Sequence, residues 1–328
     1  MAPSPHPIPV LLDVDTGVDD ALAILFAVAH PGIRLLGISC VAGNAALPQV
    51  VQNTLGVLDA AGAAPVPVAG GAHRPLINPA RDASHVHGAD GLGGIELAPT
   101  TRATYEVDGH PVAAIEMMRQ MLLASDEPVT IVALAPQTNL ALLLRAYPEV
   151  VSKIERVLFM GGSASVGNAT AVAEFNVWHD PEAAAIVLDS GVATFMYGLD
   201  VFNRVAVELE KAVSLQSSTR RAERLAGQLI SHRMGVGAGK EPVYTGLIGD
   251  AGALCALVDP DALRTELVPV FVELAGATRG QTVVDRRRFP GEDSMHGLVA
   301  RSGLTEVALE VDAQRYVDLY LSTIATLA

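Results

Sequence analysis

Near-continuous apolar runs recur through the first 200 residues, and helix-like segments separate them. The runs are Val10–Val14, Leu35–Val41, Val129–Leu134, Val157–Met160 and Ala193–Tyr197. Unbroken apolar strands are buried on both faces, as parallel strands covered by helices are. Helical spacing runs through Asp19–Ala29, Leu47–Ala61, Val112–Ala124, Gln137–Ala146 and Pro181–Asp189. Asp180-Pro181-Glu182 marks a helix start, with Asp as N-cap and Pro at the first helical position. The alternation predicts an α/β fold: a doubly wound, Rossmann-like, mostly parallel central sheet flanked by helices. A helix over Glu210–Met234, strands near Leu267–Glu273 and Val307–Val311, and a terminal helix continue the pattern. The Gly-rich stretch 236–244 reads as a mobile loop. No repeat or linker interrupts the chain, so one domain is expected over residues 8–328, behind a flexible tail at 1–7.

The chemistry is announced at the end of the first apolar run. Residues 13–20 read Asp-Val-Asp-Thr-Gly-Val-Asp-Asp, directly before the apolar stretch Ala21–Val28. Asp13 and Asp15 share one face if the strand runs through them. Asp19 and Asp20 fall in a helix's first turn, where the dipole favours negative charge. Four carboxylates at one strand end repel each other unless a cation joins them, and oxygen ligands suit a hard divalent ion. The net charge of −14 argues against nucleic acid or an anionic membrane as partner. No run of 18 apolar residues is free of polar breaks, so no membrane span is expected. Cys40 and Cys255 lie in apolar segments and read as buried thiols. With no signal peptide recognisable, the expected location is cytoplasmic.

Polar residues gather where the other strands end: Asn44, Gln137-Thr138-Asn139, Gly161-Gly162-Ser163, Asn168, Glu174 and Asn176. Each alone is an ordinary loop residue; the set along one sheet edge is the signal. Other acidic motifs fit poorly. An aspartyl-nucleophile phosphatase would place Thr or Val where Gly17 stands. An EF-hand would need an oxygen side chain at 17 and Gly at 18, where the chain has Gly17 and Val18. Gly239-Lys240 lacks the first glycine of a phosphate-binding loop and is followed by Glu241.

In this order the residues resemble the inosine-uridine-type nucleoside N-ribohydrolases. The resemblance runs from Asp13–Asp20 through Val41-Ala-Gly-Asn44, His87-Gly-Ala-Asp-Gly-Leu-Gly93, Pro136-Gln-Thr138-Asn139, Met160-Gly-Gly-Ser, Gly167-Asn168, Glu174-Phe-Asn176 and Asp180-Pro-Glu-Ala-Ala to Thr282-Val-Val-Asp285-Arg. It implies a glycosidase that hydrolyses the N-glycosidic bond of ribonucleosides to ribose and free base, in nucleoside salvage. It also implies one Ca²⁺ per subunit and a homodimer or homotetramer. By similarity the metal is held by Asp15, Asp20, Asp250 and the Thr138 carbonyl, with Asp15 as general base toward water. Asp19, Asn44, Met160, Asn168, Glu174, Asn176 and Tyr244 correspond to substrate-binding positions. Asp13 reads as a support behind the metal loop.

One departure concerns the leaving base. Many relatives carry His immediately before the late metal-binding Asp, and some purine-preferring ones carry Trp; here the position is Gly249. Candidates to assist the leaving group are His87, His85, His232 and Tyr244, with His87 ranked first and a purely loop-structuring histidine as its alternative. Trp178 reads as scaffold and Arg286-Arg287-Arg288 as a solvated charge run. Two other readings stay open: a hydrolase of another N-riboside, and a ribose- or nucleoside-binding protein without turnover.

Overall fold

Alternate residues of the first strand enter two different cores, and that places its end at the centre of the molecule. The computed structural model describes residues 6–235, 245–287 and 303–327. The strands in chain order are β1 (Ile8–Val14), β2 (Ile33–Cys40), β3 (Val68–Gly70), β4 (Glu106–Val107), β5 (His110–Pro111), β6 (Val129–Ala133) and β7 (Ile154–Met160). They continue with β8 (Thr194–Tyr197), β9 (Ala206–Glu208), β10 (Thr245–Leu247), β11 (Leu263–Val272), β12 (Thr282–Val284) and β13 (Leu304–Val311). The helices begin with α1 (Val18–Ala29), α2 (Leu47–Ala60), α3 (Ser84–His87), α4 (Ala114–Ala124), α5 (Thr138–Ala146) and α6 (Phe175–His179). The rest are α7 (Pro181–Leu188), α8 (Leu199–Phe202), α9 (Leu209–Gln216), α10 (Arg221–Gly235), α11 (Ala251–Val258) and α12 (Ala313–Ile324).

Nine strands form the main sheet in the order β12-β11-β13-β8-β7-β6-β1-β2-β3. From β13 to β3 all neighbours are parallel; β11 and β12 add an antiparallel edge. The doubly wound, mostly parallel sheet expected from the sequence is therefore present. Val10, Leu12 and Val14 pack into a core shared with α1, α2, α10, α11 and α12. Leu11 faces the opposite core, with residues of α4, α5 and α7. Every residue of α1 from Val18 to Ala27 is buried. Beyond its acidic first turn the helix is apolar all round, which suits that central place in contact with α2, α10, α11 and α12.

The chain leaves β1 toward β2 and β3 on one side and reaches β6, β7 and β8 on the other. Such a reversal of strand order opens a crevice at the carboxyl ends, where ligands of open α/β sheets bind. The acidic run lies at this switch point.

The sequence pattern expects one helix over Glu210–Met234, and the structure has two, α9 and α10. The break holds Ser217, Ser218 and Thr219. Ser218 Oγ accepts the Arg220 N–H at 3.1 Å and contacts Glu223 Oε2 at 2.5 Å, local bonds that compete with continued helix. Helix α11 is apolar almost throughout, so no period announced it, and β3, β9, β10 and β12 are too short to stand out. The Gly-rich stretch 236–244 and residues 1–5 of the expected tail lie outside the described residues; His6 and Pro7 are exposed. Arg286 and Arg287 pair with Glu266 and Asp285 at the surface. Among the described residues no helix is long and apolar enough to cross a membrane.

Candidate active site

The turn after β1 wraps its own amides around one carboxylate. Asp20 Oδ2 accepts the Gly17 N–H at 2.9 Å, and Oδ1 accepts the Asp15 N–H at 3.2 Å. This fixes Asp20 at the first turn of α1, where the helix dipole also favours it. Asn44, just beyond β2, joins Asp20 to Asp15. Its backbone N–H reaches Asp15 Oδ2 at 2.7 Å, and its side-chain amide lies 3.1 Å from both Asp15 Oδ1 and Asp20 Oδ2. The neighbouring Gly43 permits this approach: a Cβ there would lie 2.0 Å from Asp15 Oδ2.

Asp15 and Asp20 have no solvent exposure, and Asp19 and Asp250 have 7% and 3%. Oxygens of Asp19, Asp20 and Asp250 lie within 4.8 Å of one another. Burial, then repulsion by Asp20, pushes the Asp15 carboxyl well above its ordinary range, against the Asn44 N–H. Burial, then the Asp19 charge, raises Asp20 to about 7. These shifts report carboxylates crowded in a space that disfavours their joint ionisation.

Asp13 faces away from this group. Its Oδ1 accepts from Ser39 Oγ at 2.6 Å and Asn139 Nδ2 at 2.8 Å, tying β1 to β2 and α5. Burial raises Asp13 to about 7 despite those bonds. Thr138 heads α5, and its hydroxyl donates to Asp180 Oδ2 at 2.7 Å.

The opposite wall is built at the ends of β6 and β7. Glu174 caps α6, accepting N–H groups of Asn176 at 2.9 Å, Val177 at 3.1 Å and Gly162 at 3.0 Å. Burial outweighs these three donors and raises it to about 7. Asn176 Nδ2 donates to the carbonyls of Leu134 at 2.9 Å and Met160 at 3.1 Å. Asn168 Oδ1 accepts the Phe175 N–H at 2.9 Å.

A cavity of about 700 Å³ lies between these walls. Of the expected site residues, Asp19, Asn44, His87, Met160, Asn168, Glu174, Asn176 and Asp250 line it. Asp15, Asp20 and Thr138 are buried outside its lining. Tyr244 lies outside the described residues. The structure groups Asp19 with Asp20 and Asp250, where the sequence reading put Asp15 in that set and Asp19 on the sugar. Asn44, read as a sugar contact, already spends its side-chain amide on two carboxylates.

His87 is buried at the end of α3. Its Nδ1 accepts the Val18 N–H at 3.1 Å and lies 3.6 Å from Asp19 Oδ1. An acceptor nitrogen carries a lone pair, so this approach to Asp19 is no ion pair while the Val18 bond holds. Gly249 has φ +57°, and a Cβ there would lie 2.3 Å from the Asp19 Cβ. No side chain fits that position beside Asp19 as placed.

The sequence reading missed part of the lining. Trp178, taken as scaffold, lines the cavity, with the Arg81 guanidinium 4.5 Å from its ring centroid. Phe175 lies against Trp178 and His179. Trp178 follows Glu174 by four residues on α6, a spacing that could have placed both on one side. Arg81 sits in an irregular loop, and no local pattern marks it.

Residues 10–318 match the family described as inosine-uridine preferring nucleoside hydrolase. The chain is 37% identical to a pyrimidine-specific ribonucleoside hydrolase RihA of Enterobacter sp. (strain 638), over 97% of this chain and 98% of that one. It is 36% identical to the protein of the same name from Citrobacter koseri, with the same coverage. Among solved structures, a plant nucleoside hydrolase, PpNRh1, superposes with a TM-score of 0.88 at 27% identity, covering 97% and 99% of the two chains. A purine-preferring ribonucleoside hydrolase from Gardnerella vaginalis gives 0.86 at 26% identity, covering 97% and 98%. With these matches spanning nearly its whole length, the chain belongs to the inosine-uridine preferring nucleoside hydrolase family.

Proposed function

We propose that this nucleoside hydrolase cleaves ribonucleosides with Asp15 as general base beside a bound Ca²⁺, and that pyrimidine ribonucleosides are its preferred substrates. The observation that carries the reading is the buried carboxylate cluster at the switch point, facing Glu174 and Asn176 across one cavity. A hard cation fits the residues present. Three carboxylates converge, and Asp19 Oδ1 is buried without a hydrogen-bond partner. Asp20, Asp250 and either Asp15 or Asp19 would hold the ion, with the Thr138 carbonyl as a further oxygen donor. When bound, Ca²⁺ offsets the carboxylate charge and makes a coordinated water more acidic.

Asp15 takes the proton from the attacking water. Two donors from Asn44, one to each oxygen, orient its carboxylate for that role. Glu174, Asn176 and Asn168 orient the ribose from the other wall, and Met160 adds an apolar contact. Charge on the ribosyl ring rises toward an oxocarbenium-like transition state, which nearby carboxylates stabilise. The pyrimidine preference rests on the names of the relatives at 36–37% identity; the purine-named structure is more distant, at 26%. We further propose a homodimer or homotetramer in the cytoplasm.

The test is release of reducing sugar from uridine, cytidine, inosine, adenosine and guanosine. Asp15→Asn should lower kcat by roughly 100- to 10,000-fold. Equal rates in parent and variant would remove Asp15 from the role. Activity that survives a chelator in protein free of bound calcium would reject the metal. Faster turnover of inosine than of uridine would reverse the substrate preference.

A further inference from the structure

Breaking the bond between C1′ and the base nitrogen sends an electron pair onto the base. Something must stabilise that charge, either a proton donor or a fixed cation. Among the described residues, position 249, His87 and His179 are each poorly suited to donate a proton. Position 249 holds no side chain, and a Cβ there would meet Asp19. His87 uses Nδ1 to accept the Val18 N–H, so adding a proton there would break that bond. His179 has both ring nitrogens buried without partners, and burial, then the Arg81 charge, lowers it to about 4.

The cavity grades from a buried acidic floor, with Asp19 and Asp250, to a more open mouth where Arg81 is exposed and Trp178 half-buried. Arg81 is the only lysine or arginine among the described residues that line it. Its guanidinium lies 4.5 Å from the Trp178 ring centroid, and it pairs with no described carboxylate. A planar guanidinium resting on an indole face keeps its edge N–H groups available while the ring restrains its position.

We propose that Arg81, seated on Trp178 at the cavity mouth, stabilises the departing base as an anion, in place of a proton donor at position 249. The proposal rests on the hydrolase reading above. In the step, the C1′–N bond breaks and its electron pair passes to the base, where charge spreads onto the carbonyl oxygen beside the glycosidic nitrogen. Arg81 N–H groups donate to that oxygen. The water oxygen forms the new bond to C1′, and Asp15 takes the water's proton. Guanidinium does not give up a proton at working pH, so the released base is protonated by water. The ligand class is a base with a carbonyl next to the glycosidic nitrogen, which uracil has and adenine lacks.

The experiment measures kcat and KM of the parent, Arg81→Gln and Arg81→Lys on uridine and on p-nitrophenyl riboside, across neutral to alkaline pH. The nitrophenolate leaves unaided. Arg81→Gln should lower kcat on uridine by about 10- to 100-fold while leaving p-nitrophenyl riboside nearly unchanged, a selective loss of transition-state stabilisation. Retained turnover of the second substrate also shows that the variant is folded. Arg81→Lys should recover part of the uridine rate, and the parental kcat on uridine should stay level above the histidine range. Equal slowing of both substrates in Arg81→Gln overturns the proposal. So does an unchanged uridine rate, or a parental kcat that falls above the histidine range, as a histidine acid at 85 or 87 would give. A parent that releases no ribose from any nucleoside overturns the hydrolase reading itself, whereas an active parent with any of those three results overturns the role of Arg81 alone.

Discussion

A side chain at position 249 would have to displace Asp19. The backbone there is left-handed, at φ +57°, and the added Cβ would lie 2.3 Å from the Asp19 Cβ. Gly249→His should therefore not install a useful acid. It should lower kcat on uridine and cost about 1–2 kcal/mol from the left-handed backbone alone, before the contact with Asp19 is counted. Ribose release and urea unfolding check both parts; a variant faster than the parent would show that the site accepts the histidine. Gly43→Ala carries a related expectation. The 2.0 Å approach to Asp15 Oδ2 requires Asp15 to move, so kcat should fall by much more than KM changes. The acidic half of the site was legible because Asp13, Asp15, Asp19 and Asp20 crowd into the eight residues 13–20 at the end of an apolar strand. Asp250 needed family resemblance, since nothing local marks one Asp in the run Ile248-Gly249-Asp250 as special. Arg81 was illegible because its partner Trp178 reaches it only through the fold.

Short elements carry as much of the site as long ones. Helix α6 has five residues, yet its cap, Glu174, gathers three backbone N–H groups and lines the cavity. Burial places the Glu174 pKa at about 7, above its ordinary 4.5. The folded state thus binds this proton more tightly than the unfolded chain does. The stabilisation is complete below about pH 4.5 and is lost as pH rises through about 7. In chelator-treated protein, the unfolding free energy of the parent minus that of Glu174→Gln should fall across this interval, by an amount on the order of 3 kcal/mol. Urea melts at stepped pH measure it, and a constant difference would refute the assignment. The long parallel strands were legible because burial on both faces leaves them few polar positions. The antiparallel strand β11 is only partly buried along most of its ten residues, so its start at Leu263 gave no such signal. The break between α9 and α10 depends on Ser218 bonding to local groups, which helical spacing alone does not register.

Across the whole molecule, one strand end joins two cores, one cavity and the carboxylate cluster. Unfolding should therefore be a single cooperative transition, and added Ca²⁺ should raise its midpoint. A ligand present at 100 times its Kd stabilises by about 2.7 kcal/mol, enough for a calorimetric shift. Two separate transitions would divide the single domain proposed over residues 8–328, and a midpoint indifferent to Ca²⁺ would argue against the metal. The distance in sequence between the cluster and its last member has a further consequence. Asp20 leaves the ribosome early, whereas Asp250 arrives only after most of the parallel sheet has been synthesised. A chain cut short before residue 250 would carry the motif around Asp20 but lack the carboxylate that completes the group, together with α11 and α12, which pack on α1. Turnover would then report intact translation, and a single protease nick that frees the C-terminal quarter would silence the enzyme while leaving its opening motif untouched.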